Sequence, residues 1–157
     1  MTTEQKVIGG IVIATILILV GGVFLATKGQ SSSVPEDQII SKAGIHWHPK
    51  LIINIKGEKQ SFPAGIGLNG PIHNPIHTHE DATENIVHME FERGLTKDQS
   101  KLANFFKAWG KEFSSNRILD QEATSAGMIK MFVNGAENQE FENYQMKDGD
   151  NIEIKYE

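Results

Sequence analysis

Residues 7–26 read VIGGIVIATILILVGGVFLA, an uncharged run in which Thr15 is the one polar residue. A stretch apolar on every side has no polar face to turn toward water, so it restricts the chain before any other feature does. Twenty helical residues rising about 1.5 Å each span roughly 30 Å, the thickness of a bilayer's hydrocarbon core. A cleaved export signal would carry a shorter apolar region, roughly 7–15 residues, and an A-x-A-like site after it. The expectation is a retained single-pass helix within residues 1–27 and a polar linker over residues 28–43, KGQSSSVPEDQIISKA. Lys6 precedes the run, while Glu36 and Asp37 follow Lys28 beyond it. That asymmetry leans toward a soluble domain outside the cytoplasm, with the lipid bilayer as the partner of the helix.

Residues 44–157 are enough for one domain with its own core. The formal net charge is −5 and no basic run occurs in this part, so the phosphate-neutralising stripe of a nucleic-acid partner is missing. The chain has no cysteine, which excludes thiolate metal sites, iron–sulfur clusters, cysteine nucleophiles and disulfides together.

The domain opens with alternation. Leu51, Ile53 and Ile55 fall on one side of an extended chain, and His46, His48, Lys50 and Ile52 on the other. Lys56-Gly57-Glu58 reads as a turn, with Gln60–Phe62 starting a returning strand. Residues 63–75 are rich in glycine and proline and read as loop. Alternation resumes over residues 86–92, with Val87, Met89 and Phe91 opposite His88, Glu90 and Glu92. Thr96 and Gln99 form a capping-box pattern, and Leu102, Phe105, Phe106, Trp109 and Phe113 follow at helical spacing. One helix over 96–113, with a buried aromatic stripe, is expected there. Ile129, Met131 and Val133 alternate up to Asn134-Gly135, a hairpin dipeptide, and Ile152, Ile154 and Tyr156 alternate in the last strand.

Hairpin, crossing segment, helix and further strands make an α+β order, a β-grasp-like mixed sheet packed on one main helix. The ending, with VNG at 133–135 and KDGDNIEI at 147–154, resembles the ubiquitin-like sulfur carriers. The resemblance implies the fold. It does not extend to their chemistry, which needs a Gly-Gly terminus where this sequence reads Lys155-Tyr156-Glu157.

All six histidines lie between positions 46 and 88. His46 and His48 form one H-x-H pair and His77 and His79 a second, and in an extended chain such pairs place both imidazoles on one side. His88 lies opposite Val87 and Met89 in phase. If the apolar faces meet the helix, then His46, His48, His77, His79 and His88 gather around one metal ion on the far face of the sheet. His73, in the Gly/Pro loop, is held in reserve. Glu80, Asp81 and Glu90 are available to orient imidazole N–H groups or to add an oxygen ligand, with Glu80 and Glu92 read as solvated. Nitrogen ligation with nearby carboxylates suits copper(II), zinc or nickel, and the affinity order puts copper first and zinc as the alternative. A blue-copper electron carrier is excluded, because it needs a thiolate.

The segments HWHPKLIINIKG, FPAGIG, HTHED and IVHME together resemble a group of microbial membrane-anchored proteins that carry H-x-H, an HTHD-like segment and an I-H-x-E strand. That resemblance implies a shared histidine site within an anchored domain. Three functions compete on these residues. The first is a non-enzymatic copper or zinc protein that delivers, buffers or sequesters metal. The second is a cupin-like mononuclear metalloenzyme, in which Glu84 completes His77-x-His79-x4-Glu. The third is an accessory subunit of a membrane complex. No H-E-x-x-H zinc-protease pattern and no phosphate-binding glycine loop occurs.

Overall fold

A computed structural model describes residues 4–5, 12–13, 15–19, 34–70 and 73–157. The chain divides into two compact units, Met1–Val34 and Pro35–Glu157. In the first, residues 4–5, 12–13 and 15–19 are helical, and Val12, Ile13 and Ile16–Leu19 are exposed. Most of the expected membrane helix at 7–26 lies outside the described residues. Among those described, no helix is long and apolar enough to cross a membrane.

The second unit is a mixed α+β structure, mostly sheet with one main helix. Its strands are β1 (Ile39–Ser41), β2 (Ile45–Trp47), β3 (Lys50–Ile55), β4 (Glu58–Gln60), β5 (Ile76–His77), β6 (His88–Phe91) and β7 (Leu95–Thr96). Helix α1 (Leu102–Trp109) follows, then β8 (Phe113–Ser114), β9 (Arg117–Ile118), β10 (Gln121–Glu122), β11 (Ile129–Val133), β12 (Ala136–Glu137) and β13 (Asn151–Tyr156). The folded unit takes in residues 35–43, which the sequence reading assigned to the linker. β1 pairs there with β7, Ile39 opposite Thr96.

The largest sheet runs β12-β11-β13-β3-β4. β3 and β13 are parallel, Leu51 beside Ile152 and Ile53 beside Ile154, and the other pairs are antiparallel. The apolar phase of these strands is what alternation predicts. Leu51, Ile53, Met131, Ile152 and Ile154 are fully buried and share one cluster with Leu102, Phe105 and Phe106 of α1. Both hairpins of this sheet turn on two residues with positive φ, Lys56-Gly57 and Asn134-Gly135, the backbone that matches the twist of paired strands.

The expected single strand from His46 to Ile55 is in fact two. β2 ends at Trp47 and β3 begins at Lys50, and between them the chain passes from a separate three-stranded sheet, β2-β6-β5, into the large one. Pro49 has no N–H to leave unpaired at this crossing, while its carbonyl accepts from Val87 N at 3.0 Å. His48 N donates to Asp148 Oδ1 at 2.8 Å.

The helix is shorter than 96–113. Thr96 and Gln99 do bond reciprocally, Thr96 N to Gln99 Oε1 at 2.9 Å and Gln99 N to Thr96 Oγ1 at 3.3 Å, but they close the turn ahead of the helix. α1 stops at Gly110, whose φ of +70° suits a left-handed C-terminal cap. Phe113 returns to the core from β8 and stacks on Phe106, ring centroids 4.7 Å apart. α1 packs against β5, so the helix supports the small sheet from its apolar side.

Candidate metal centre

The small sheet builds the site through its register. His77 of β5 stands opposite His88 of β6, and His46 of β2 stands opposite Glu90 of β6. The partners on the other side of the same strands, Ile45, Trp47, Ile76, Met89 and Phe91, pack into the core. His46, His77 and His88 thus lie opposite the apolar side chains of their strands, but on a different sheet from the one expected. The histidines line the polar face of a three-stranded sheet beside the large one.

HTH is held by the glycine loop before it. Thr78, fully buried, donates its hydroxyl to Pro63 O at 2.8 Å and accepts from Ile66 N at 3.1 Å. Backbone bonds Gly65 N to Thr78 O and Thr78 N to Ile66 O add to the clamp. Gly67, with φ of +76°, lies so close to β5 that an added Cβ would stand 2.7 Å from Ile76 O and 3.2 Å from His77 Cβ. The glycines of PAGIG thus help position the two histidines, a role that reading residues 63–75 as loop does not reveal. Thr78 and Asn74, missed in the sequence, matter for the same reason. Only the spacing of a small polar residue between two histidines hinted at the first.

The hydrogen bonds fix which ring nitrogens carry protons. His77 Nδ1 is 2.9 Å from Asn74 O; a carbonyl only accepts, so Nδ1 carries the proton and Nε2 keeps its lone pair. Burial of His77 holds its pKa below the ordinary histidine value, against opposing pulls from the Asn74 carbonyl and Glu90. His88 Nε2 lies 2.9 and 3.1 Å from the two oxygens of Asp81, so that nitrogen is the donor and Nδ1 holds the lone pair. Asp81 reaches His88 because residues Glu80–Glu84 form a 3-10 turn directly after His79. His88 Nδ1 is the buried side-chain nitrogen that, among the described residues, has no hydrogen-bond partner. Leaving such a group unpaired costs about 1–3 kcal/mol.

His88 belongs to two groups of donors. One atom each of His77, His79, His88 and Glu90 lie within 4.8 Å of one another, and so do one each of His46, His48 and His88. His77 Nε2 and His79 Nε2 are 3.0 Å apart. Two nitrogens about 2.0–2.1 Å from one zinc ion would stand about 2.9 Å apart at a right angle and about 3.3 Å apart at a tetrahedral angle. Glu90 Oε1 is 3.0 Å from His46 Nε2, 3.7 Å from His77 Nε2 and 3.9 Å from His88 Nδ1.

The structure brings all five sequence candidates, His46, His48, His77, His79 and His88, into these two overlapping groups. His73 instead lines a cleft of about 490 Å³ that opens beside His77 and Glu90. Glu80 and Glu92 are exposed and belong to neither group. Glu84 is exposed at the end of the 3-10 turn and belongs to neither group, whereas Glu90 belongs to the first. Comparison with protein-family models, with curated proteins and with solved structures gives no match.

Proposed function

We propose that this chain is a membrane-anchored protein that binds one transition-metal ion, copper first and zinc as the alternative, for delivery, buffering or sequestration. The observation that carries the reading is His88. Its Nε2–H is held by Asp81, its Nδ1 is buried without a hydrogen-bond partner 3.9 Å from Glu90 Oε1, and the ring belongs to two groups of imidazole donors. A carboxylate holding the outer nitrogen of a metal-bound imidazole is a recurrent arrangement, and it fixes both the tautomer and the ring angle. Three imidazoles and one carboxylate, His77, His79, His88 and Glu90, form a borderline-to-hard donor set that suits copper(II) or zinc. The anchor reading rests on the apolar run at 7–26. The strand order β4-β3-β13-β11-β12, with the parallel pair at its centre and one helix on the buried face, supports a β-grasp scaffold.

Elemental analysis of the purified full-length chain, with isothermal titration of copper(II) and zinc(II), tests this directly. One ion per native chain and loss of it in His88→Ala are expected. A native chain that takes up neither ion would leave the histidines as a polar surface only.

A second reading, a mononuclear metalloenzyme, draws on the cleft beside His77 and Glu90, which would give small molecules access to the ion. An azide-induced change in the visible spectrum of the copper-loaded chain would favour it. A spectrum indifferent to azide points to a closed binding site.

A further inference from the structure

The two donor groups share His88, and that ring has one free nitrogen. Its Nε2 is engaged by Asp81 and its Nδ1 alone is unpartnered, so two ions cannot both hold it as a terminal ligand. Two divalent ions a few ångströms apart would also repel with four times the strength of unit charges, and Glu90 is the one carboxylate among these donors to offset them. The groups are therefore alternative positions for one ion. Their most and least exposed imidazoles differ in depth, although His79 and Glu90 of the second group are exposed. The His46 side chain is 60% exposed, whereas that of His77 is 4% exposed and faces His88 within the sheet.

We propose, resting on the metal-binding reading above, that the centre is a two-position relay with His88 as its pivot. An incoming ion is captured by exposed His46 and half-buried His48 together with His88. It then moves to His77, His79 and Glu90 while the His88 bond persists. Two imidazoles leave the ion, and two imidazoles and a carboxylate oxygen join it. Glu90 spans the two positions, since the oxygen 3.0 Å from His46 Nε2 is also 3.7 Å from His77 Nε2. The ion never has to regain a full water shell between the positions, and the chain has one path for loading and for release to a recipient.

The test is stopped-flow uptake of copper(II) by the full-length chain, with release read by competition with a chelator. Uptake by H46A/H48A is expected to slow at least tenfold, with one ion still bound per chain. H77A/H79A is expected to load rapidly and to release at least tenfold faster than the native chain. H88Q, which keeps a polar side chain of similar length, should lose both behaviours. Two ions per native chain, or both paired variants changing the same rate constant, would overturn the relay and leave metal binding intact. A native chain that binds no copper would overturn the metal-binding reading itself.

Discussion

Asp81 is the residue whose effect on the ion is most indirect and most open to measurement. It would touch no metal, yet its carboxylate decides which nitrogen of His88 is free. Asp81→Asn should lower copper or zinc affinity about 10–100-fold, as loss of a ligand's hydrogen-bonded partner commonly does. Its side chain is 34% exposed, so the fold should survive, and an unchanged circular dichroism spectrum beside a weakened titration isotherm would separate the two effects. Proton competition gives a second prediction. Imidazole must be neutral to ligate, so affinity should fall as pH drops through about 6.5. His77 is held below its ordinary value of 6.5 by burial, so a proton binds it less readily in the folded chain than in the unfolded one. Between the lowered value and 6.5 the unfolded state takes up more protons, and this residue therefore makes the ion-free domain less stable as pH falls in that window. Urea midpoints that rise as pH is lowered from 6.5 would contradict the assignment.

At the scale of elements, the aromatic stripe belongs to the core and contributes no member to either donor group. Phe105 is fully buried between Phe62, Phe106 and Trp109, and Phe105→Ala should cost about 3–5 kcal/mol in denaturant unfolding. Trp109 is partly buried at the rim of the same cluster, so the corresponding change there should cost less. Metal stoichiometry of the folded fraction should stay the same in both; loss of the ion in Phe105→Ala would mean that the stripe shapes the centre. Strand phases were legible in the sequence because half-buried strands repeat every two residues, as Leu51, Ile53, Val87, Met89, Ile152 and Ile154 do. The sheet switch at Pro49 was not. Alternation runs unbroken from His46 to Ile55, and period two records which side a residue faces but not which sheet it joins. The helix was overextended for a similar reason. Phe113 lies four residues after Trp109, and that spacing reads as helix although Gly110 ends it. Glu90 was harder to choose over Glu84 by spacing alone, because the antiparallel pairing of β6 with β2 and β5 is what carries it to the imidazoles.

For the whole molecule, the apolar run at 7–26 predicts that the full-length chain stays with membranes through high-salt and alkaline washes. Recovery of a soluble chain beginning near Lys28 would show cleavage instead. The folded unit ties its two ends together. β3, which continues from the His48–Pro49 crossing, is held in parallel by β13, and Asp148 just before that strand holds the amide of His48. This has a consequence for synthesis. The candidate ligand histidines, at positions 46–88, emerge from the ribosome well ahead of residues 148–156, which brace β3 and the backbone of His48. Until that late segment is made, β3 and the His48 amide lack these partners, while Asn74 and Asp81, which set the tautomers of His77 and His88, are already present. If the chain binds metal as proposed, a nascent chain would lack the support behind His48, and that arm of the site would be set only when the strand made last has been laid beside one made early.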